Sequence, residues 1–259
     1  MTKLRTLGAA AVLALGMATQ AVAAPIFDYN PVNFGGTNAT YQGNELVGRF
    51  STAFTSADSF ASFTATGWGQ IRNINVDSVA QSTGGLASDI IPGDYHLWYE
   101  FTYTASGGPG GSIAPFYNID SISIDLYAGS GTDRDFVLAT ATVAPTVTTN
   151  SGSEVLLGSG STILGGGIVN FRNQSLLAAD LDFELVELGK FFTAPDPFFN
   201  LAFQSASTVL PSVNFTKGTG FLNGTNEIRF DRTIPEPATL ALMGLGLLGI
   251  GAVSKRRKA

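Results

Sequence analysis

The sequence predicts an all-β protein whose main domain is a single antiparallel β-sandwich. Several segments alternate apolar and polar residues, as residues 121–126 (Ser-Ile-Ser-Ile-Asp-Leu) do, and this alternation suits a sheet with one buried and one solvated face. Little of the chain between the two ends has the 3.6-residue apolar period of a helix. Glycine is abundant, at 31 of 259 residues, and only 13% of the residues are charged. These features favour many strands joined by glycine-rich turns, with a jelly-roll connection left open.

The first 23 residues have the features of a secretory signal peptide. Lys3 and Arg5 precede an apolar segment, 7–18, and Ala21 and Ala23 provide the small residues that signal peptidase recognises. Cleavage after Ala23 avoids a proline directly after the scissile bond. The sequence therefore predicts export across the inner membrane by the general secretory route.

Residues 24–234 form the predicted sandwich domain, with no internal boundary and no repeat of fixed period. Gly and Pro separate the apolar runs, and turns or loops are expected at the glycine clusters 107–111, 129–131, 158–160 and 165–167. Strands are expected near 46–54, 59–66, 68–76, 95–103, 118–127, 136–143, 154–157, 163–171, 181–187, 198–206 and 226–231.

Two of these strands place polar groups on one face. Along 95–103 the odd positions are apolar and should point into the core, whereas His96, Trp98 and Glu100 fall on the opposite face. Along 180–185, three carboxylates share one face.

Charge and cysteine content exclude several classes of function. Residues 24–234 hold eight Lys and Arg against nineteen Asp and Glu, a net charge of −11. Such acidity argues against nucleic acid as a partner and leaves divalent cations or cationic polymers as conceivable ones. The chain has no cysteine, so disulfides, thiol catalysis and Cys-rich zinc sites are excluded.

Catalytic motifs are scarce, and the sequence favours a protein that is not an enzyme and carries no cofactor. His96 is the only histidine, so a Ser-His-Asp triad would need it as base. Phosphate-binding and dinucleotide fingerprints are missing. The carboxylates at Asp180, Asp182 and Glu184 would suit glycoside hydrolysis only if two of them met in a cleft.

The sequence offers candidate residues for two kinds of binding site, one for calcium and one for sugars. Asp133 and Asp135 follow a glycine loop and could hold calcium, although a solvated acidic loop is favoured and no metal site is expected. The rings of Trp68 and Trp98 could bind sugars, together with Tyr95 and Tyr99 if these were exposed. The two tyrosines fall on the face opposite Trp98, however, and are expected in the core.

The C-terminal residues 235–259 have three parts in a fixed order. Pro235-Glu236-Pro237 is followed by an uncharged apolar run, 238–253, and then by Lys255, Arg256, Arg257 and Lys258. As a helix the run would reach roughly 24 Å, and snorkelling basic side chains can extend this toward the thickness of a bilayer. The sequence predicts a transmembrane helix with its basic end in the cytoplasm.

This tail resembles the PEP-CTERM sorting signal of exported proteins in Gram-negative bacteria that make exopolysaccharide. The resemblance implies recognition by exosortase, a membrane protease-transpeptidase, with processing near Pro235-Glu236-Pro237. It implies a transient membrane anchor and delivery to the cell surface or extracellular matrix. An ordinary C-terminal membrane anchor is the alternative.

A second, shorter resemblance concerns the flocculation-associated PEP-CTERM proteins. It rests on residues 182–185, on 191–201 with their aromatic and proline residues, and on 95–98. It implies a non-enzymatic matrix or surface protein that acts with exopolysaccharide in cell aggregation, floc or biofilm formation. The alternatives are that Phe191, Phe192, Phe198 and Phe199 are simply core residues, and that the protein is a secreted carbohydrate-binding or carbohydrate-active protein.

Overall fold

The computed structural model describes residues 25–88, 93–108, 111–131, 134–150, 152–171, 175–196, 198–208 and 210–231. Strands dominate these residues, and the one helical element among them is a 3₁₀ turn at Pro31–Phe34. In chain order the described strands are β1 Phe27–Tyr29, β2 Tyr41–Gly43, β3 Glu45–Thr55, β4 Ser62–Val76, β5 Val79–Ala80, β6 Tyr95–Ser106, β7 Phe116–Ser130, β8 Arg134–Val137, β9 Thr146–Thr149, β10 Glu154–Asn170, β11 Ser175–Leu185, β12 Phe192–Ala194, β13 Asn200–Ser207, β14 Ser212–Asn214 and β15 Thr219–Asp231.

Eight long strands form one antiparallel sheet that closes on itself. The order is β3-β4-β6-β7-β10-β11-β13-β15, and β15 pairs with both β13 and β3. Long strands that follow one another in the chain are therefore neighbours in the sheet, an up-and-down order and not a jelly-roll connection. The predicted all-β, antiparallel fold is confirmed, and the structure adds that the sheet is closed.

Several aromatic rings of the interior lie opposite glycine on a neighbouring strand. Gly69 pairs with Tyr99 across β4 and β6, and a Cβ at Gly69 would overlap the Tyr99 ring. A Cβ at Gly158 would lie 2.6 Å from Cζ of Phe183. At these positions glycine and an aromatic residue are paired, because the ring occupies the space that a side chain would otherwise fill.

A small sheet, β12-β1-β2, closes one end of the large sheet. This small sheet and the turn Pro31–Phe34 are called here the cap, and the end of the large sheet that they close is called the capped end. The core of the cap is aromatic. The ring of Phe27 lies 5.2 Å from that of Phe230 and 5.3 Å from that of Phe192. Tyr29 stacks on Phe191 at 5.3 Å. Because Phe230 belongs to β15, these contacts join the cap to the strand that closes the sheet.

The outer hairpin, β8 and β9 with the residues between them, lies against the outside of the large sheet. The Trp68 indole donates a hydrogen bond to the carbonyl of Val137 at 2.9 Å. Farther along, the Ala139 amide donates to Oγ of Ser51 at 2.7 Å, and Asn223 donates to the Ala139 carbonyl at 3.2 Å. The hairpin is therefore tied to β3, β4 and β15.

Several of the strand boundaries predicted from the sequence were wrong. The glycine clusters 158–160 and 165–167, predicted as turns, lie inside the long strand β10, and the predicted strands 59–66 and 68–76 are one strand, β4. The predicted strand 136–143 corresponds to β8 followed by a loop. Gly158 lies against the ring of Phe183, and Gly167 lies against Ile119 and Ala179, so these two glycines serve close packing between strands and not chain reversal.

The two predicted export segments lie outside the described residues. These are the signal peptide 1–23, with Ala21 and Ala23, and the sorting signal 235–259, with its predicted transmembrane helix 238–253. Among the residues that are described, no helix is long and apolar enough to cross a membrane.

Candidate functional site: an outer groove and an aromatic cluster

A groove of about 360 Å³ runs along the outer faces of β4, β6 and β7, with the outer hairpin as one wall. The sheet contributes hydroxyl groups, two carboxylates and the edge of one indole ring, and the hairpin contributes Pro145 and Val147. The full lining is Thr66, Gly67, Trp68, Glu100, Phe101, Thr102, Ser123, Asp125, Pro145, Thr146 and Val147. Hydroxyls beside an apolar wall are a combination that sugar rings and their hydroxyl groups can match.

Glu100 and Asp125 are directly opposite each other in the register of β6 and β7. Side chains at such paired positions lie close together, and like charges there repel. The pKa of Glu100 is raised above its ordinary value by partial burial and by the nearby carboxylates of Glu154 and Asp125. The groove therefore has a negatively charged floor, where a cationic group would reduce the repulsion between the carboxylates.

An aromatic cluster lies beside this groove, beneath the start of the outer hairpin. The guanidinium of Arg134 lies 3.6 Å from the ring centroid of Trp98, and Trp98 stacks on Tyr127 at 5.4 Å with an interplanar angle of 14°. Arg134 also donates from Nε to the hydroxyl of Thr149 at 3.2 Å. This stack fastens the base of the hairpin to the sheet.

Both tryptophans are covered by the hairpin. Trp68 and Trp98 are 1% and 0% exposed, and the Trp68 ring lies 5.1 Å from that of Phe136. The two indole rings, which the sequence analysis considered for sugar binding, are therefore not exposed to a ligand. Tyr95 and Tyr99 are fully buried in the core, where the alternation of β6 placed them.

His96 is buried beneath the same hairpin, with its ring 6.2 Å from that of Phe136. The alternation of β6 correctly put it on the face of Trp98 and Glu100. Its aromatic surroundings are those of a packed residue, and the groove described above does not include it.

The carboxylates of β11 lie on one exposed face, as the sequence predicted. Asp182 and Glu184 border a separate cleft of about 420 Å³ that also contains Asp196 and Asn200. Asp135 is exposed on the outer hairpin and accepts a hydrogen bond from Asn150. Among the described residues, no three His, Asp or Glu side chains are grouped so that they could hold a metal ion.

The aromatic segment behind the flocculation resemblance is part of the cap. Phe191 and Phe192 are buried, and Phe198 and Phe199 are partly buried against the core. The reading of these rings as core residues is therefore confirmed. The groove at Glu100 and Asp125 was not predicted, since no local signal reveals that two distant strands are neighbours in this register.

The comparisons with known proteins concern the tail. Residues 233–258 match the family model of the PEP-CTERM protein-sorting motif. The chain thus carries a PEP-CTERM sorting motif, as the order of Pro235-Glu236-Pro237, apolar run and basic end predicted. No curated protein and no solved structure matches the chain.

Proposed function

We propose that this protein is a non-enzymatic component of the extracellular matrix or cell surface, which acts with exopolysaccharide in cell aggregation, floc or biofilm formation. The observation that carries the proposal is the sorting motif at residues 233–258, joined to an acidic, cysteine-free β domain. The motif indicates that exosortase processes the protein and that it is exported and sorted to the surface or the extracellular space. Signal peptidase and the inner membrane are the other expected partners.

The described geometry supports a structural role. The one histidine, His96, is buried against aromatic rings. A cavity inside the closed sheet, between Phe50, Phe101 and Phe171, has a volume of about 10 Å³, which is roughly the room for one water molecule. The interior thus serves packing in this region of the described residues.

A carbohydrate-binding role is the second candidate, and the outer groove favours it. Hydroxyl groups of Thr66, Thr102 and Ser123 line it beside an apolar wall. The negative floor at Glu100 and Asp125 suits neutral or amino sugars better than uronic acids, because an acidic polymer would be repelled. This role is compatible with a matrix protein that holds exopolysaccharide.

The decisive experiment for the proposed function deletes the whole coding region and scores flocculation against exopolysaccharide yield. Loss of flocs with a normal yield is expected for a matrix protein. An altered yield or polymer size would contradict the non-enzymatic role and favour a carbohydrate-active enzyme. The control restores the gene in the same strain.

Deletion of residues 235–259 tests the dependence on sorting. Because the described strands end at Asp231, the domain is expected to fold with an unchanged circular dichroism spectrum. The protein should nevertheless be mislocalised in cell fractionation, and aggregation should be lost. Aggregation at the normal level would contradict the sorting-dependent role.

A paired variant tests the carbohydrate-binding role. Thr102→Val keeps the β-branched shape of an exposed strand residue but removes one hydroxyl from the groove. Binding to the purified exopolysaccharide should fall by roughly tenfold, since about 1.4 kcal/mol corresponds to that factor. Thr225→Val, at an exposed site on β15 outside this groove, is the matched control and should bind normally. Equal binding by both variants would exclude the groove.

A further inference from the structure

The last strand of the folded domain ends at the capped end, and only a short segment separates it from the Pro-Glu-Pro element. β15 ends at Asp231, which pairs with Asn200 of β13, and Arg229 two residues earlier pairs with Glu45 of β3. Pro235 follows only four residues after Asp231. Even a fully extended chain covers no more than about 14 Å in four residues. The Pro-Glu-Pro element must therefore lie close to the capped end.

The surface of the capped end carries apolar side chains. Ile26 and Val32 are 45% and 42% exposed, and Val186 and Leu188 are 63% and 36% exposed. Each pair comes from one of the two segments that enter the cap. These four residues are called here the cap patch.

Hydrogen bonds hold the two segments of the cap patch together. The side-chain amide of Asn33 donates to the carbonyl of Lys190 at 2.9 Å, and the Asn30 amide donates to the carbonyl of Phe191 at 2.9 Å. Lys190 also pairs with Glu187 at 3.3 Å, so these two charges neutralise each other. Carboxylates of Asp182, Glu184 and Asp196 border the same cleft as Leu188, so the surroundings of the patch are acidic. Exposed apolar side chains on such a domain are typical of a surface that meets another protein.

We infer that the cap patch is the docking surface for exosortase. This inference rests on the proposed function, in which exosortase processes the tail, and it goes further by naming the part of the folded domain that the enzyme contacts. Any protease that acts on the Pro-Glu-Pro element works within about 14 Å of Asp231, at the same end of the sheet as this face. A protein partner is favoured over lipid because the net charge of −11 on residues 24–234 opposes approach to an anionic bilayer.

Photo-crosslinking in cells tests the contact directly. A photoreactive amino acid is placed at position 186 or 188 of the full-length chain, in cells that carry tagged exosortase. The control positions are 210 and 116, because Leu210 and Phe116 are also exposed and apolar but lie toward the opposite end of the strands. An adduct with exosortase from the cap positions alone supports the inference. Adducts with lipid only, or equal adducts from both ends, would overturn it.

Charged variants then test whether the contact matters. Val186→Asp combined with Leu188→Asp should slow conversion of the precursor by roughly tenfold, since about 1.4 kcal/mol of lost docking energy gives that factor. Leu210→Asp should be converted at the normal rate. Thermal unfolding checks that both variants remain folded, as expected for exposed positions. Normal conversion of a folded cap variant would refute the inference.

An inserted spacer distinguishes docking at the cap from simple steric access of the protease to the Pro-Glu-Pro element. Ten Gly and Ser residues inserted between Asp231 and Pro235 would speed conversion if the short connection merely hindered the protease. Docking at the cap predicts slower conversion, because the longer linker lowers the effective concentration of the motif at a protease held on the cap. Faster conversion counts against the inference. The aggregation role is scored separately on the gene deletion, so failure here leaves that test intact.

Discussion

At the scale of single residues, the outer groove holds a repulsive pair. Glu100 and Asp125 face each other across two strands, and no described ion pair with Lys or Arg includes either carboxylate. The cost falls on the folded state, because the unfolded chain separates and solvates the two groups. Unpaired carboxylates that destabilise the folded state often mark a binding site, so this groove is a better candidate for binding than a surface in which every charge is paired.

Replacing Glu100 by Gln should stabilise the protein at neutral pH. The pKa of Glu100 in the folded protein is raised above the ordinary 4.5. Ionisation of Glu100 therefore begins to destabilise the folded state as the pH rises past the ordinary pKa, and it does so in full above the folded pKa. Well below the ordinary pKa the side chain is protonated in both states and has no effect. The gain should stay under about 1 kcal/mol, because solvent screens the side chain. Urea unfolding at pH 7 and at pH 3.5 measures it. A gain of equal size at both pH values would contradict the charge-repulsion account.

At the scale of elements, the outer hairpin is the part that gives the sheet its specific surface. It covers Trp68, Trp98 and His96 and forms one wall of the groove. Its base is held by Arg134, whose side chain is 1% exposed and lies 3.9 Å from the carboxylate of Glu154. Burial lowers the pKa of Arg134, and Glu154 partly offsets this. Arg134 therefore holds the base of the hairpin, while the hydrogen bonds at Val137 and Ala139 hold the rest of it.

Arg134→Ala should loosen the hairpin and expose the indole ring beneath it. The stack over Trp98 is desolvated, and such contacts contribute about 2 kcal/mol or more. Since the chain has two tryptophans, a Trp68→Phe background lets fluorescence report on Trp98 alone. Its emission should shift to longer wavelength. Lys190→Ala, which removes a cation from the cap, is the control and should leave the spectrum unchanged. An unshifted spectrum for Arg134→Ala would exclude this role.

At the scale of the whole molecule, closure of the sheet and the aromatic cap depend on each other. Phe230 contacts the rings of Phe27, Phe183 and Phe198, and its strand pairs with β3 and β13. Phe230→Ala should cost about 3–5 kcal/mol, measured by urea unfolding. The exposed Phe116 is the matched control, and Phe116→Ala should change stability by less than about 0.5 kcal/mol. Similar losses for the two variants would contradict this view.

Sequence patterns predicted what local chemistry determines. The alternation of residues 95–103 placed Tyr95 and Tyr99 inside and His96 outside, because side-chain direction along a strand follows position alone. The glycines of 158–160 misled because their role depends on a ring of β11, a partner that local sequence does not name. The groove was missed for the same reason, since it needs the register that brings Glu100 opposite Asp125.

The closing strand also has a consequence for the timing of export. β15 must pair with β3, so residues 219–231 are needed before the sheet can close on residues 45–55. In a chain translocated from its N-terminus, β15 emerges last, directly ahead of the sorting tail. The predicted transmembrane run therefore reaches the membrane at about the moment when closure first becomes possible. Closure of the sheet and arrival of the tail at the sorting machinery would then coincide. The pairing of β15 with β3 would be the slow step of folding, because these strands are far apart in the chain.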